Sequence, residues 1–258
     1  MEESASTNNS IADRASGEKV FNILKNTLKV DWRDYVVLVA HKLDGNPFAV
    51  LVAIILSQNT NDKNAIKAYM KLREKTSISP EKILSINKNE LVETIRPAGL
   101  PKQKANAILE LAKLVMRKGG NEWLSRGDPE EIRRELLKIP GIGKKTADVF
   151  LSFYRGYGGV FAVDTHAARI AKRWGLVSDR AGYDEISKAL LRYFGPDKAE
   201  EAHRLLIALG RTYCKARNPR CDECPLRGLC PWPERRGLQV LQQRSLVESA
   251  GRSRNYGT

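Results

Sequence analysis

The 258-residue chain has no uninterrupted apolar run longer than Phe48–Leu56. A helix that crosses a bilayer needs about twenty such residues, so no membrane partner is expected. Residues 1–17 (MEESASTNNSIADRASG) lack the basic and apolar regions of a secretory signal. They read as a disordered leader, and an intracellular location follows: cytoplasm and nucleoid, or the nucleus in a eukaryotic cell. No segment of solenoid length repeats. Histidine is scarce, at three residues, and there are four cysteines, none outside residues 214–230.

Those four cysteines form Cys214-x6-Cys221-x2-Cys224-x5-Cys230. A loop this short can wrap a metal centre without help from distant residues. Thiolates select zinc, copper(I) or iron–sulfur clusters. The usual zinc layout pairs two close knuckles; here one close pair is flanked by single cysteines and the loop has no histidine. Four-cysteine ligation of a [4Fe–4S] cluster fits at least as well.

Lysine and arginine number 44 against 30 aspartates and glutamates, giving +14. A field of that sign attracts polyanions, of which nucleic acid is the commonest large one in a cell. The basic residues are spread along the chain rather than set beside an apolar anchor.

Apolar spacing predicts an all-α protein. Helices are expected over 19–29, 31–41, 61–73, 80–85, 88–95, 102–118, 128–137, 147–154, 165–174, 183–194 and 198–210. Phe48–Leu56 is apolar at every position, so periodicity does not separate buried helix from buried strand; the helix-like stretch after it favours helix. Asp128, Pro129 and Glu131 form a strong helix start.

A second informative segment is Ile139-Pro140-Gly141-Ile142-Gly143-Lys144-Lys145-Thr146-Ala147. Helical pattern stops at Pro140 and resumes after Gly143. Gly141 and Gly143 are expected to turn the chain with positive φ and to bare amides at the next helix N-terminus, a natural seat for a phosphate. Such contacts position a protein on DNA without reading sequence. Adjacent helical residues point about 100° apart, so only one of Lys144 and Lys145 can face a given pocket.

This segment resembles the helix-hairpin-helix of the DNA glycosylase superfamily. Val163-Asp164-Thr165-His166, with Asp164 nineteen residues after Lys145, resembles that superfamily's aspartate motif. The cysteine spacing is similar to the iron–sulfur loop of its endonuclease III branch. The resemblance covers roughly residues 18–232. It implies a two-lobed helical fold, with a barrel domain over 42–157 and a [4Fe–4S] domain from 18–41 plus 158–235. Residues 236–258 are a tail.

The resemblance also assigns roles. Lys145 is the nucleophile and Asp164 the carboxylate partner, although Asp164 also suits the N-cap of the helix after it. Gly141, Gly143 and Lys144 meet the DNA backbone, and Cys214, Cys221, Cys224 and Cys230 hold the cluster. Gln58 or Asn59, and Leu100 at the turn before Pro101, are the candidate wedges that fill the gap left by a flipped base. Arg217, between the first two cysteines, and His166 are candidate phosphate contacts; a buried, hydrogen-bonded imidazole is the other reading of His166.

The implied activity is base-excision repair by a monomer on double-stranded DNA with damaged bases or abasic sites. Oxidised pyrimidines would be removed and the strand nicked by β-elimination. The alternatives are a mismatch-specific glycosylase without lyase activity and a non-enzymatic duplex-binding module.

Overall fold

The computed structural model describes residues 10–234. Among them are fourteen α-helices and three 3₁₀ turns, with no strand, as the all-α expectation requires. The helices form two hydrophobic cores.

The first core is built around α4, Pro47–Ser57. Asn46 caps it by accepting from the Ala49 N–H at 2.8 Å, and Pro47 fits the first turn. Every residue from Phe48 to Leu56 is fully buried. A helix that is apolar all round must be covered all round. Here α3 (Val36–Leu43), α5 (Asp62–Thr76), α8 (Pro101–Arg117), α9 (Asn121–Arg126) and α11 (Lys144–Phe153) do so. Three further helices, α6 (Pro80–Ser85), α7 (Lys88–Thr94) and α10 (Pro129–Leu137), complete this half.

The second core takes both ends of the described chain. It joins α1 (Ile11–Arg14) and α2 (Gly17–Thr27) to α12 (Thr165–Arg173), α13 (Tyr183–Phe194) and α14 (Ala199–Thr212). Trp174 and Phe161 lie at its centre, almost without exposure.

Two expected boundaries move. The leader is folded from Ser10 onward: a Ser10–Asp13 capping box starts α1, and Ile11 is fully buried, its N–H donating to the Trp174 carbonyl at 2.8 Å. The earlier leader residues, and the tail 236–258, lie outside the described residues. The helix expected over 31–41 is a 3₁₀ turn, Trp32–Asp34, followed by α3. Val36 and Ala40 of α3 belong to the first core, so the division falls near Tyr35 rather than at residue 42.

Charged contacts tie the halves together. Asp148 on α11, 1% exposed, accepts from Arg133 at 2.6 Å and from the Tyr183 hydroxyl of α13 at 2.8 Å. Among the described residues no helix is long and apolar enough to cross a membrane.

Candidate active site and cluster loop

A cleft of about 850 Å³ lies where the two cores meet. Lys145 enters it from the first turn of α11, and Asp164, His166 and His203 line it from the second core. Gly141, Gly143, Gln58 and Asn59 also line it.

Burial pushes the Lys145 amine below the usual lysine range, while Asp164 and Asp62 pull the other way by favouring the ammonium. The adjacent Lys144 turns elsewhere and pairs with Asp184 of α13 at 2.5 Å. Asp164 caps α12, accepting from the Ala167 N–H at 2.7 Å. Capping fixes the carboxylate without withdrawing it from the cleft.

The hairpin turns on one glycine rather than two. Gly141 has φ +93°, a conformation costly for a side-chain-bearing residue. Gly143 is extended, at φ −98° and ψ 178°. It serves as the N-cap of α11, a ten-residue helix that begins with two lysines, and no side chain caps its first amides. Ile139 and Ile142 are buried and anchor the turn.

Gln58 and Asn59 have different surroundings. The Gln58 amide donates to the Gly141 carbonyl at 2.9 Å and to the Thr146 hydroxyl at 3.0 Å, latching the hairpin to the end of α4. Asn59 is exposed, with a left-handed φ of 50°. Leu100 has the same φ and is 48% exposed. A left-handed conformation costs a side-chain-bearing residue of order 1 kcal/mol, and leaving a leucine half exposed recovers only part of its burial energy.

His166 is half-buried, its Nδ1 2.9 Å from an Arg169 guanidinium nitrogen. Burial lowers its pKa. A Cβ on Gly210 would lie 2.3 Å from that Nδ1, so the bare glycine leaves room for the imidazole.

Three residues that the sequence reading gave no role shape the site. Asp62 accepts from the Val36 N–H at 3.2 Å and from Arg211 at 2.6 Å. His203 is buried against Phe161, its Nε2 without a hydrogen-bond partner, and burial pushes its pKa down to about 4. Lys104 is buried beneath the loops that carry Asn59 and Leu100. A signal existed for Lys104, because residues 104, 108 and 111 share one helical face whose other members are apolar.

The four cysteines line one small chamber together with Trp174, Leu209 and Tyr213. Burial pushes the Cys224 and Cys230 thiols up to about 11 and about 12, so an apolar chamber of this kind favours metal-bound thiolates over free ones. Among the described residues no three His, Cys, Asp or Glu side chains converge on a single ion. Four sulfurs ringing a chamber fit a multi-iron cluster. Arg173 braces the loop, donating to Cys214 Sγ at 3.1 Å and to the Lys215 and Ala216 carbonyls at 2.8 and 3.1 Å. Lys215 and Arg217 stand exposed beyond it, while Arg220 pairs with Glu223.

Residues 52–196 match the HhH-GPD superfamily of base excision DNA repair proteins, and residues 214–230 match the iron–sulfur binding domain of endonuclease III. Endonuclease III of Sulfolobus acidocaldarius is 35% identical over 211 residues, covering 81% of this chain and 92% of the relative. That of Bacillus subtilis is 36% identical over 199 residues, covering 77% and 87%. A non-covalent endonuclease III–DNA complex superposes with a TM-score of 0.69 at 30% identity, covering 86% of this chain and 98% of that one. A thermostable thymine-DNA glycosylase gives 0.69 at 25% identity, covering 85% and 97%.

The chain belongs to the endonuclease III family of DNA glycosylases, and its Cys214–Cys230 loop is a [4Fe–4S] loop.

Proposed function

We propose that this protein, acting as a monomer, removes oxidised pyrimidines from duplex DNA and then cuts the strand at the resulting abasic site. The observation that carries the reading is Lys145, its amine pKa lowered by burial, in the same cleft as the capped carboxylate of Asp164.

As the glycosidic bond breaks, positive charge builds on the sugar, and Asp164 stabilises it. The Lys145 amine bonds to C1′, the base departs with a proton, and the ring opens to a Schiff base. Loss of a C2′ proton then expels the 3′ phosphate, and water releases the lysine. A free lysine has a pKa of about 10.4 and is a poor nucleophile at neutral pH; desolvation in the cleft raises the fraction of free amine.

The other residues hold the DNA. Amides after Gly141 and Gly143 take a backbone phosphate, with Lys144, His166 and Arg217 adding contacts. Asn59 and Leu100 enter the stack from two loops as the base leaves it, and Gln58 holds the hairpin in place. Cys214, Cys221, Cys224 and Cys230 would hold the cluster, and the Lys215–Arg217 finger between the first two would be stiffened by it.

The test is borohydride trapping on a duplex containing thymine glycol. Wild type should give a covalent protein–DNA band and Lys145→Ala none. Base removal by wild type without trapping would instead indicate a monofunctional glycosylase.

A further inference from the structure

Lys104 is a buried charge that the chemistry above does not use. It is 3% exposed, near the start of α8. Its ammonium donates to the carbonyls of Leu56 at 2.9 Å, Gln58 at 2.7 Å and Ala98 at 2.7 Å. An ammonium has three donors, and all three are spent on backbone oxygens.

The acceptors come from two separate loops. Leu56 and Gln58 lie at the C-terminal end of α4, and Gln58 immediately precedes Asn59. Ala98 closes the 3₁₀ turn Arg96–Ala98, two residues before Leu100. Asn59 and Leu100 share the left-handed φ of 50°. Left-handed, side-chain-bearing residues persist only where their surroundings hold them.

A methionine here would complete the apolar face of α8 at no electrostatic cost. The lysine is instead held in spite of that cost: burial pushes its pKa down to about 8, against which the three carbonyls and the negative end of α4 favour the ammonium. What the charge achieves is a fixed spacing between two loop tips.

We propose that Lys104 is a positioning residue for base extrusion, clamping the Asn59 and Leu100 loops into one rigid tool that enters the duplex as a unit. The inference rests on the wedge reading above. A preorganised tool does not spend binding energy on ordering its own loops while it unstacks a base.

The test uses the full-length, cluster-loaded enzyme and one oxidised pyrimidine that wild type excises, placed in a paired duplex and in an unpaired bubble. Lys104→Met should slow single-turnover excision by at least about tenfold in the duplex and by no more than about twofold in the bubble, where extrusion costs least. Equal slowing in both contexts, or no slowing in either, overturns the clamp. Because Lys104→Met could fail to fold, the loops are also tested with the lysine intact. Asn59→Ala and Leu100→Ala should have strongly non-additive effects on duplex excision if the tips act as one body; additive effects overturn the clamp. Single variants that each leave duplex excision unchanged would overturn the wedge reading itself, and the clamp with it.

Discussion

Arg211 on α14 donates to Asp62, the first residue of α5, at 2.6 Å, and so joins the two cores beside the cleft that holds Lys145. Asp62 has a second effect, because its charge favours the protonated form of the Lys145 amine.

Asp62→Asn should therefore lower the lysine's pKa further. The amide oxygen can still accept from the Val36 N–H, but the negative charge is gone and Arg211 loses its counterion. Both changes disfavour a nearby ammonium. The low-pH limb of a borohydride-trapping profile should shift to lower pH; a shift to higher pH would contradict this electrostatic account.

Asp148 tests the joint between the cores. Its carboxylate is buried and receives both Arg133 and Tyr183. Asp148→Ala would strand a guanidinium and a hydroxyl and should cost about 3 kcal/mol, read from urea unfolding. Asp184→Ala removes only an exposed partner of Lys144 and should cost well under about 1 kcal/mol.

His203 predicts a pH dependence of stability. Its pKa falls from 6.5 to about 4 on folding, mainly through burial. Native His203 stays neutral while the unfolded chain takes up a proton, so its contribution is complete above pH 6.5 and is lost as pH falls toward 4. Between pH 7 and pH 5, wild type should lose about 2 kcal/mol more than His203→Asn, measured by urea unfolding at each pH.

For the finger, Arg217→Ala should weaken duplex binding and reduce the slope of log affinity against log salt by about 0.9, the mark of one lost phosphate contact. Removing the iron should flatten the slope further, since Lys215 would lose its fixed position too. The binding isotherm at several salt concentrations checks both.

Much of this architecture could be read from the chain because it is local. Phe48–Leu56, apolar at every position, became the central buried helix, and Tyr183–Phe194 formed over the predicted span. The misses are tertiary in origin. Helix α9 is short and polar, with Leu124 its one buried residue, and α1 has a single turn fastened to Trp174. Lys144 and Lys145 are equivalent until Asp184 claims one of them. Gln58 and Asn59 likewise separate only when the hairpin, over eighty residues later, supplies the partners of Gln58. Asp62 and His203 matter through residues brought beside them from distant parts of the chain.

The second core needs α1 and α2 from one end of the chain and the cysteine loop from the other, and Arg14 donates to Glu234 at 2.9 Å. A ribosome delivers α1 and α2 before residues 36–162 and the cysteine loop after them. Residues 36–162 can condense while synthesis continues, since domains fold as units as they emerge. Asp164, His166 and His203 belong to the part made afterwards, so their side of the cleft cannot close before α12, α13 and α14 have been synthesised. A chain that stops before these helices therefore holds Lys145 without the second-core wall of its cleft.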